Sequence, residues 1–187
     1  MSDQVLPSTL ISNFDEQYYL KLPQIFYKSA KTYLDNKEIK KIQKAYTFAF
    51  YSHDGQQRRD GSKYITHPVE VAQILLDLRM DPDTICAALM HDVLEDCDVN
   101  KNNLVKLFGE DVAEIVDGVS KLGKLDINAR IDADANNLQK MMLAMSKDVR
   151  VVLVKICDRL HNMRTIEHLP RSKQIKKSKE TIDLYGP

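Results

Sequence analysis

PDTICAALMHDVLEDC, residues 82–97, decides how the rest of the chain is read. Asp81 followed by Pro82 marks a helix start. An aspartate accepts backbone N–H groups of the first turn, and proline suits the first helical position because its missing N–H would be orphaned there anyway. Ile85, Ala88, Leu89 and Val93 continue as an apolar stripe, so one helix is expected to run to about Asp96. His91 and Glu95 are four residues apart, as are Asp92 and Asp96, which gives this helix a broad polar face. Met90, Val93 and Leu94 beside them point to a mostly buried element. Carboxylates gathered near a core repel one another and are costly to desolvate. A bound divalent cation is the simplest compensation.

The flanking sequence reads as helix throughout. Glu16 to Leu34 has apolar residues at helical spacing, interrupted by Pro23. Glu38 to Tyr51 aligns Ile42, Ala45, Tyr46, Ala49 and Phe50 on one face. His53 to Tyr64, rich in Gly, Asp, Gln and Arg, reads as a loop, and Thr66-His67-Pro68 opens a helix with Val69, Ala72, Leu75, Leu76 and Leu78 inward. Asn100 caps a short helix ending at Gly109, and Val112 to Leu122 forms another, stopped by Gly123. Leu125 to Asp134 has little apolar pattern; helices are expected over 135–146, from Asp148 onward, and from Arg171 to Tyr185. Val149 to Ile156 is β-prone, but it runs without a break into Arg159, Leu160, Asn162 and Met163 and has no visible partner strand, so it reads as a fully buried helix.

Composition excludes several classes. Among 187 residues, 27 Lys+Arg balance 27 Asp+Glu, where a generic nucleic-acid binder would show a basic excess. The balance is a cancellation: residues 1–80 sum to +2, residues 81–118 to −8 and residues 119–187 to +6. The acidic block holds the His91–Asp96 segment, and its basic flanks can receive a highly anionic ligand. The longest apolar run is six residues, Ile85 to Met90, against about 20 for a membrane span. Met1 to Leu10 lacks the pattern of a secretory signal. Cys86, Cys97 and Cys157 are odd in number and form no CxxC pair, which suits free thiols in a reducing, cytoplasmic setting.

Four places carry chemistry: His53, His91-Asp92, Glu95-Asp96, and Asp158 with Asn162. Each alone is unremarkable: His53 in a polar loop can be solvated, and Asp158 can pair with Lys155 or Arg159. Together, two histidines and two aspartates suit a first-row divalent metal such as Mn²⁺, Fe²⁺ or Zn²⁺. Such a metal supports phosphoester hydrolysis. The order His, His-Asp, Asp is that of HD-type metal phosphohydrolases.

The blocks HDGQQRRDGSKYITHPVEVA (53–72), AALMHDVLEDC (87–97), LFGEDVAEIVDGVSKLGKL (107–125) and VKICDRLHNMRT (154–165) closely resemble the hydrolase domain of the RelA/SpoT homologue family. The resemblance implies an all-α, multi-helix HD fold and removal of the 3′-pyrophosphate from (p)ppGpp, the alarmone of the stringent response, using one Mn²⁺. It implies His53, His91, Asp92 and Asp158 as metal ligands, with Glu95 and Asp96 orienting and deprotonating the attacking water. It places Asn162 and Thr165 against the nucleoside, Lys44, Ala45 and Tyr46 as a guanine wall, and Arg58 and Arg159 as groups steadying the site or the phosphates. His67 reads either as satisfied by backbone at a helix start or as a residue that supports a ligand from the second layer or contacts phosphate; His161 faces the edge of the site. Lys63, Cys97 and Lys44 stand where the family usually has Pro, Thr and Arg. The basic run Arg171 to Lys179 reads as a solvated helix face.

The implied organisation is a helical extension over residues 1–37 and an HD-type hydrolase domain over 38–187, followed in longer members by synthetase and regulatory domains. No membrane or direct nucleic-acid partner is expected. Two other readings fit the same residues: an HD hydrolase of another nucleotide, and a ligand-sensing domain without catalysis.

Overall fold

The computed structural model describes Phe14, residues 16–123 and residues 147–185. The expected helix over 135–146 and the segment 125–134 lie outside the described residues.

Nine α-helices make up the described architecture: α1 (Gln24–Ala30), α2 (Asn36–Ser52), α3 (Thr66–Asp77), α4 (Pro82–Leu89), α5 (Val93–Asp96), α6 (Lys101–Phe108), α7 (Glu110–Gly123), α8 (Val149–Arg164) and α9 (Arg171–Tyr185). Short 3₁₀ turns occupy Glu16–Tyr18 and Ile166–His168. The one β feature among the described residues is an isolated bridge between Gln57 and Lys63 in the loop after α2. The fold is all-α.

Local chemistry sets the helix ends. Asp35 and Glu38 form a reciprocal capping box at the start of α2, satisfying two otherwise orphaned donors. Asp81 accepts from the backbone N–H groups of Asp83 and Thr84, with Pro82 in the first turn of α4. Asn100 and Asn103 cap α6 reciprocally, and Gly109, at φ 93°, supplies the left-handed residue that turns α6 into α7. Asp148 caps α8 by accepting from the Arg150 N–H.

Helix α4 is central. It packs against α2, α3, α7 and α8, and Thr84 through Leu89 are all buried. Each fully buried Leu or Ile contributes roughly 1.5–3 kcal/mol of transfer free energy, so this short helix anchors one continuous core. Phe26 and Ala30 of α1 belong to that core as well, so the end of the 1–37 extension packs with the rest. Helix α8 lies across α3 and α7.

Three expectations need correction. The helix expected from Pro82 to about Asp96 breaks: α4 ends at Leu89, a turn carries Met90–Asp92, and α5 is a single turn. The i, i+4 relation of His91 and Glu95 therefore fails; His91 is buried while Glu95 and Asp96 are exposed. Leu78, expected inward, is the C-cap residue of α3 and is 58% exposed. The β-prone run at 149–156 is helical, but α8 is not buried all round, because Val149, Ile156 and Leu160 are exposed.

Candidate metal centre

The turn between α4 and α5, the first turn of α3 and the middle of α8 meet inside the molecule. There, one ligand atom each from His67, His91 and Asp158 lie within 4.8 Å of one another, and all three residues are buried. His91 Nε2 is 3.1 Å from Asp92 Oδ2 and 3.8 Å from Asp158 Oδ1. His67 Nε2 is 3.2 Å from Asp158 Oδ1 and 3.9 Å from Asp92 Oδ2. The result is a square of two imidazoles and two carboxylates, drawn from a helix start, an interhelical turn and the middle of a helix.

The protonation pattern of this square fits a cation. His91 Nδ1 lies 2.8 Å from the Ala88 carbonyl and must donate to it. Its Nε2 is buried and has no hydrogen-bond partner, although two carboxylates face it. Burial opposes charge on His91, but Asp92 and Asp158 outweigh it and push its pKa up to about 9. Burial likewise opposes charge on Asp92 and Asp158; His91 outweighs it at Asp92, and His67, His91 and Lys155 outweigh it at Asp158, so both carboxylates are held low. A divalent cation held here would use the Nε2 lone pair that a proton otherwise takes, so metal and proton compete for His91.

The surrounding side chains orient the square. His67 Nδ1 is 2.8 Å from His161 Nδ1. Burial lowers the pKa of both rings, that of His161 to about 4, so a neutral His161 can accept from His67 Nδ1–H and leave His67 Nε2 free for a cation. Asp158 accepts from Asn162 Nδ2 at 2.6 Å and pairs with Lys155 at 3.1 Å. The Tyr64 hydroxyl donates to Asp92 Oδ2 at 2.6 Å and lies 3.2 Å from Asp96 Oδ2, tying a candidate ligand to a candidate acid–base residue. Burial, then Asp92, raises the Tyr64 pKa, so the hydroxyl keeps its proton.

His53 is the main departure from the expected ligand set. It is the C-cap residue of α2, and its ring stacks on Tyr64 with centroids 4.5 Å apart. Its Nδ1 is taken by Gln56 Oε1 at 2.9 Å, with Cys97 Sγ at 3.3 Å. Among the described residues, the histidine whose ring nitrogen gathers with His91 and Asp158 is His67, on the first turn of α3. The signal was present in Thr66-His67-Pro68: a histidine at a helix start, beside a proline that fixes the backbone.

A cavity of about 380 Å³ opens onto the square, lined by Tyr64, His67, Asp92 and Asp158 together with Arg58, Arg59, Asn162, Thr165, His168 and Lys177. Arg58 Nη2 donates to Thr165 Oγ1 at 3.0 Å, so two expected substrate contacts meet on one wall. Lys44, Ala45 and Tyr46 do not line this cavity. The α2 register puts Ala45 in the core, sends the Lys44 ammonium to the Leu107 carbonyl at 2.7 Å near the end of α6, and packs Tyr46 on Phe50. A cation suits that helix C-terminus, so Lys44 is structurally engaged. Arg159 also points elsewhere, pairing with Glu180 at 3.4 Å and clipping α8 to α9. Glu95 and Asp96 sit on the exposed turn α5, with Asp96 reached through Tyr64.

An HD domain family model matches residues 45–187. The chain belongs to the HD domain family. A guanosine-3′,5′-bis(diphosphate) 3′-pyrophosphohydrolase of Vibrio cholerae serotype O1 is 48% identical to this HD domain over 158 residues, 84% of the present chain. The bifunctional (p)ppGpp synthase/hydrolase SpoT of Escherichia coli K12 is 46% identical over 157 residues, again 84% of the chain. The chain spans 22% of the length of each of these relatives. A solved structure, described as a metazoan ortholog of SpoT that hydrolyzes ppGpp, superimposes with a TM-score of 0.58 at 26% identity, covering 82% of this chain and 88% of that one. No helix among the described residues is long and apolar enough to cross a membrane.

Proposed function

We propose that this HD domain removes the 3′-pyrophosphate of (p)ppGpp, giving GDP or GTP and pyrophosphate, with one divalent metal, Mn²⁺, held by His67, His91, Asp92 and Asp158. The observation that carries this reading is the buried, partnerless Nε2 of His91 facing two carboxylates beside a second imidazole. Imidazole and carboxylate donors suit a first-row divalent ion, and the square contains no thiolate. When bound, such a metal polarises a phosphoryl oxygen and acidifies a water.

The chain's own residues do the rest. Asp96, held by the Tyr64 hydroxyl, accepts the proton of the attacking water, and exposed Glu95 beside it orients that water. Arg58 and Thr165 hold the substrate from one wall, and Asn162, steadied on Asp158, faces the ribose. Relatives named for this reaction support the choice of substrate. The three free cysteines suit the cytoplasm as the place of reaction.

Incubation with Mn²⁺ and ppGpp, pppGpp, a deoxynucleoside triphosphate or NADPH in parallel tests the reading. Pyrophosphate and GDP released from ppGpp, at a rate well above the other nucleotides, are expected. Faster turnover of another nucleotide would overturn the substrate, and no turnover of any would favour a ligand-sensing role.

A further inference from the structure

Helix α9 carries four lysines, and its register turns one of them inward. Lys173, Lys176 and Lys179 are exposed, whereas Lys177 shares the half-buried face of Gln174, Ser178 and Thr181 that packs toward α8. The basic run is thus not uniformly a solvated face. The Lys177 side chain lines the 380 Å³ cavity that opens onto the metal square.

No hydrogen bond or ion pair engages the Lys177 ammonium among the described residues. The nearest acid on its own helix, Glu180, is already shared by Arg159 at 3.4 Å and Lys176 at 4.0 Å. Asp158 is likewise taken by Lys155, His67 and Asn162. Burial and the Arg159 guanidinium lower the Lys177 pKa, and Glu180 and Asp158, both engaged elsewhere, offset this only in part. Half-burying an unpaired cation is unfavourable unless a ligand completes it. Around it the cavity presents Arg58, Arg59 and Lys177 against Asp60, Asp92 and Asp158. Among the described lining residues those charges balance, so a divalent cation on the square tips them to two positive charges in excess, suited to a polyanion.

We propose that Lys177 is a phosphate-binding residue of this cavity, donating from the α9 wall to a phosphoryl oxygen of the substrate. The inference rests on the pyrophosphohydrolase reading of the site. A charge-assisted hydrogen bond from an ammonium to a phosphate is among the stronger polar contacts, and its loss corresponds to about tenfold in affinity. The phosphoryl oxygen belongs either to the leaving 3′-pyrophosphate or to the 5′-phosphates that remain on the nucleoside.

Calorimetric titration of the Mn²⁺-loaded protein with inorganic pyrophosphate and, separately, with GDP tests this in wild type, K177Q, K177R and K179Q. K177Q is expected to bind one of the two about tenfold more weakly, with K177R close to wild type and K179Q unchanged. Weaker pyrophosphate binding assigns Lys177 to the leaving group, and weaker GDP binding assigns it to the 5′ end. The KM for ppGpp is expected to rise by the same factor. Equal affinity of K177Q and wild type for both ligands, or no binding of either by wild type, overturns the proposal. A wild type that binds pyrophosphate through Lys177 but leaves ppGpp intact overturns the substrate reading while Lys177 stands; turnover of ppGpp with K177Q unaltered does the reverse.

Discussion

Tyr64 shows how one hydroxyl organises this site. Its proton is shared between Asp92 and Asp96, 2.6 and 3.2 Å away, and its ring is braced by the stacked His53. Removing the hydroxyl takes one donor from each carboxylate and frees Asp96 to swing. Tyr64→Phe is expected to fold normally and to lower kcat for ppGpp roughly 10- to 100-fold, the usual scale for a residue that orients a metal ligand. Steady-state kinetics beside a thermal melt check this; an unchanged kcat would remove Tyr64 from the positioning of Asp96. Tyr64 does not stand out in the sequence and His161 reads there only as an edge residue, because their roles are set by contacts across 28 and 94 residues of chain. His91, Asp92 and Asp158 were legible from type and order alone. The resemblance implied His53 as a ligand, whereas the fold gathers His67 with His91 and Asp158 and leaves His53 at the end of α2, stacked on Tyr64.

Helix packing holds the ligands in register. Helix α8 brings Asp158 to the square, and it lies on α7 at Gly118, where a Cβ would meet Val151 Cγ2 at 2.7 Å and Cγ1 at 3.1 Å. Alanine would gain up to about 1 kcal/mol in helix propensity. It would also push a β-branched side chain that has almost no alternative rotamer in a helix, and overpacking of that kind costs about 1–3 kcal/mol. The second effect wins, so Gly118→Ala is expected to destabilise the fold by about 1 kcal/mol in urea unfolding, with Val151→Ala restoring part of the loss in the double variant. A stabilised Gly118→Ala would show that α7 and α8 have room to separate. Helix identities and starts were legible because capping residues such as Asp81, Asn100 and Asp148 act locally. The break at Met90–Asp92 was not, since apolar periodicity continues straight through it while tertiary contacts pull His91 inward.

Across the whole molecule, charge is divided by position. The acidic segment 81–118 supplies His91 and Asp92, the basic segment 119–187 supplies Asp158 and the cavity residue Lys177 of α9, and the net zero of the chain hides both. The all-α class and the buried gathering of histidine and aspartate were legible from this ordered set of motifs. Lys177 was not legible as a cavity residue, because only the fold brings it beside Arg58, Asn162 and Thr165, which the motifs offered. The most direct test of the metal square is pyrophosphate release from ppGpp by chelator-stripped protein on titration with Mn²⁺, for wild type, His67→Ala and His53→Ala. Mn²⁺ is expected to restore turnover to wild type and to His53→Ala, and to leave His67→Ala at least about 100-fold slower at matched metal concentration. Full restoration of His67→Ala, with His53→Ala inactive, would contradict the assignment.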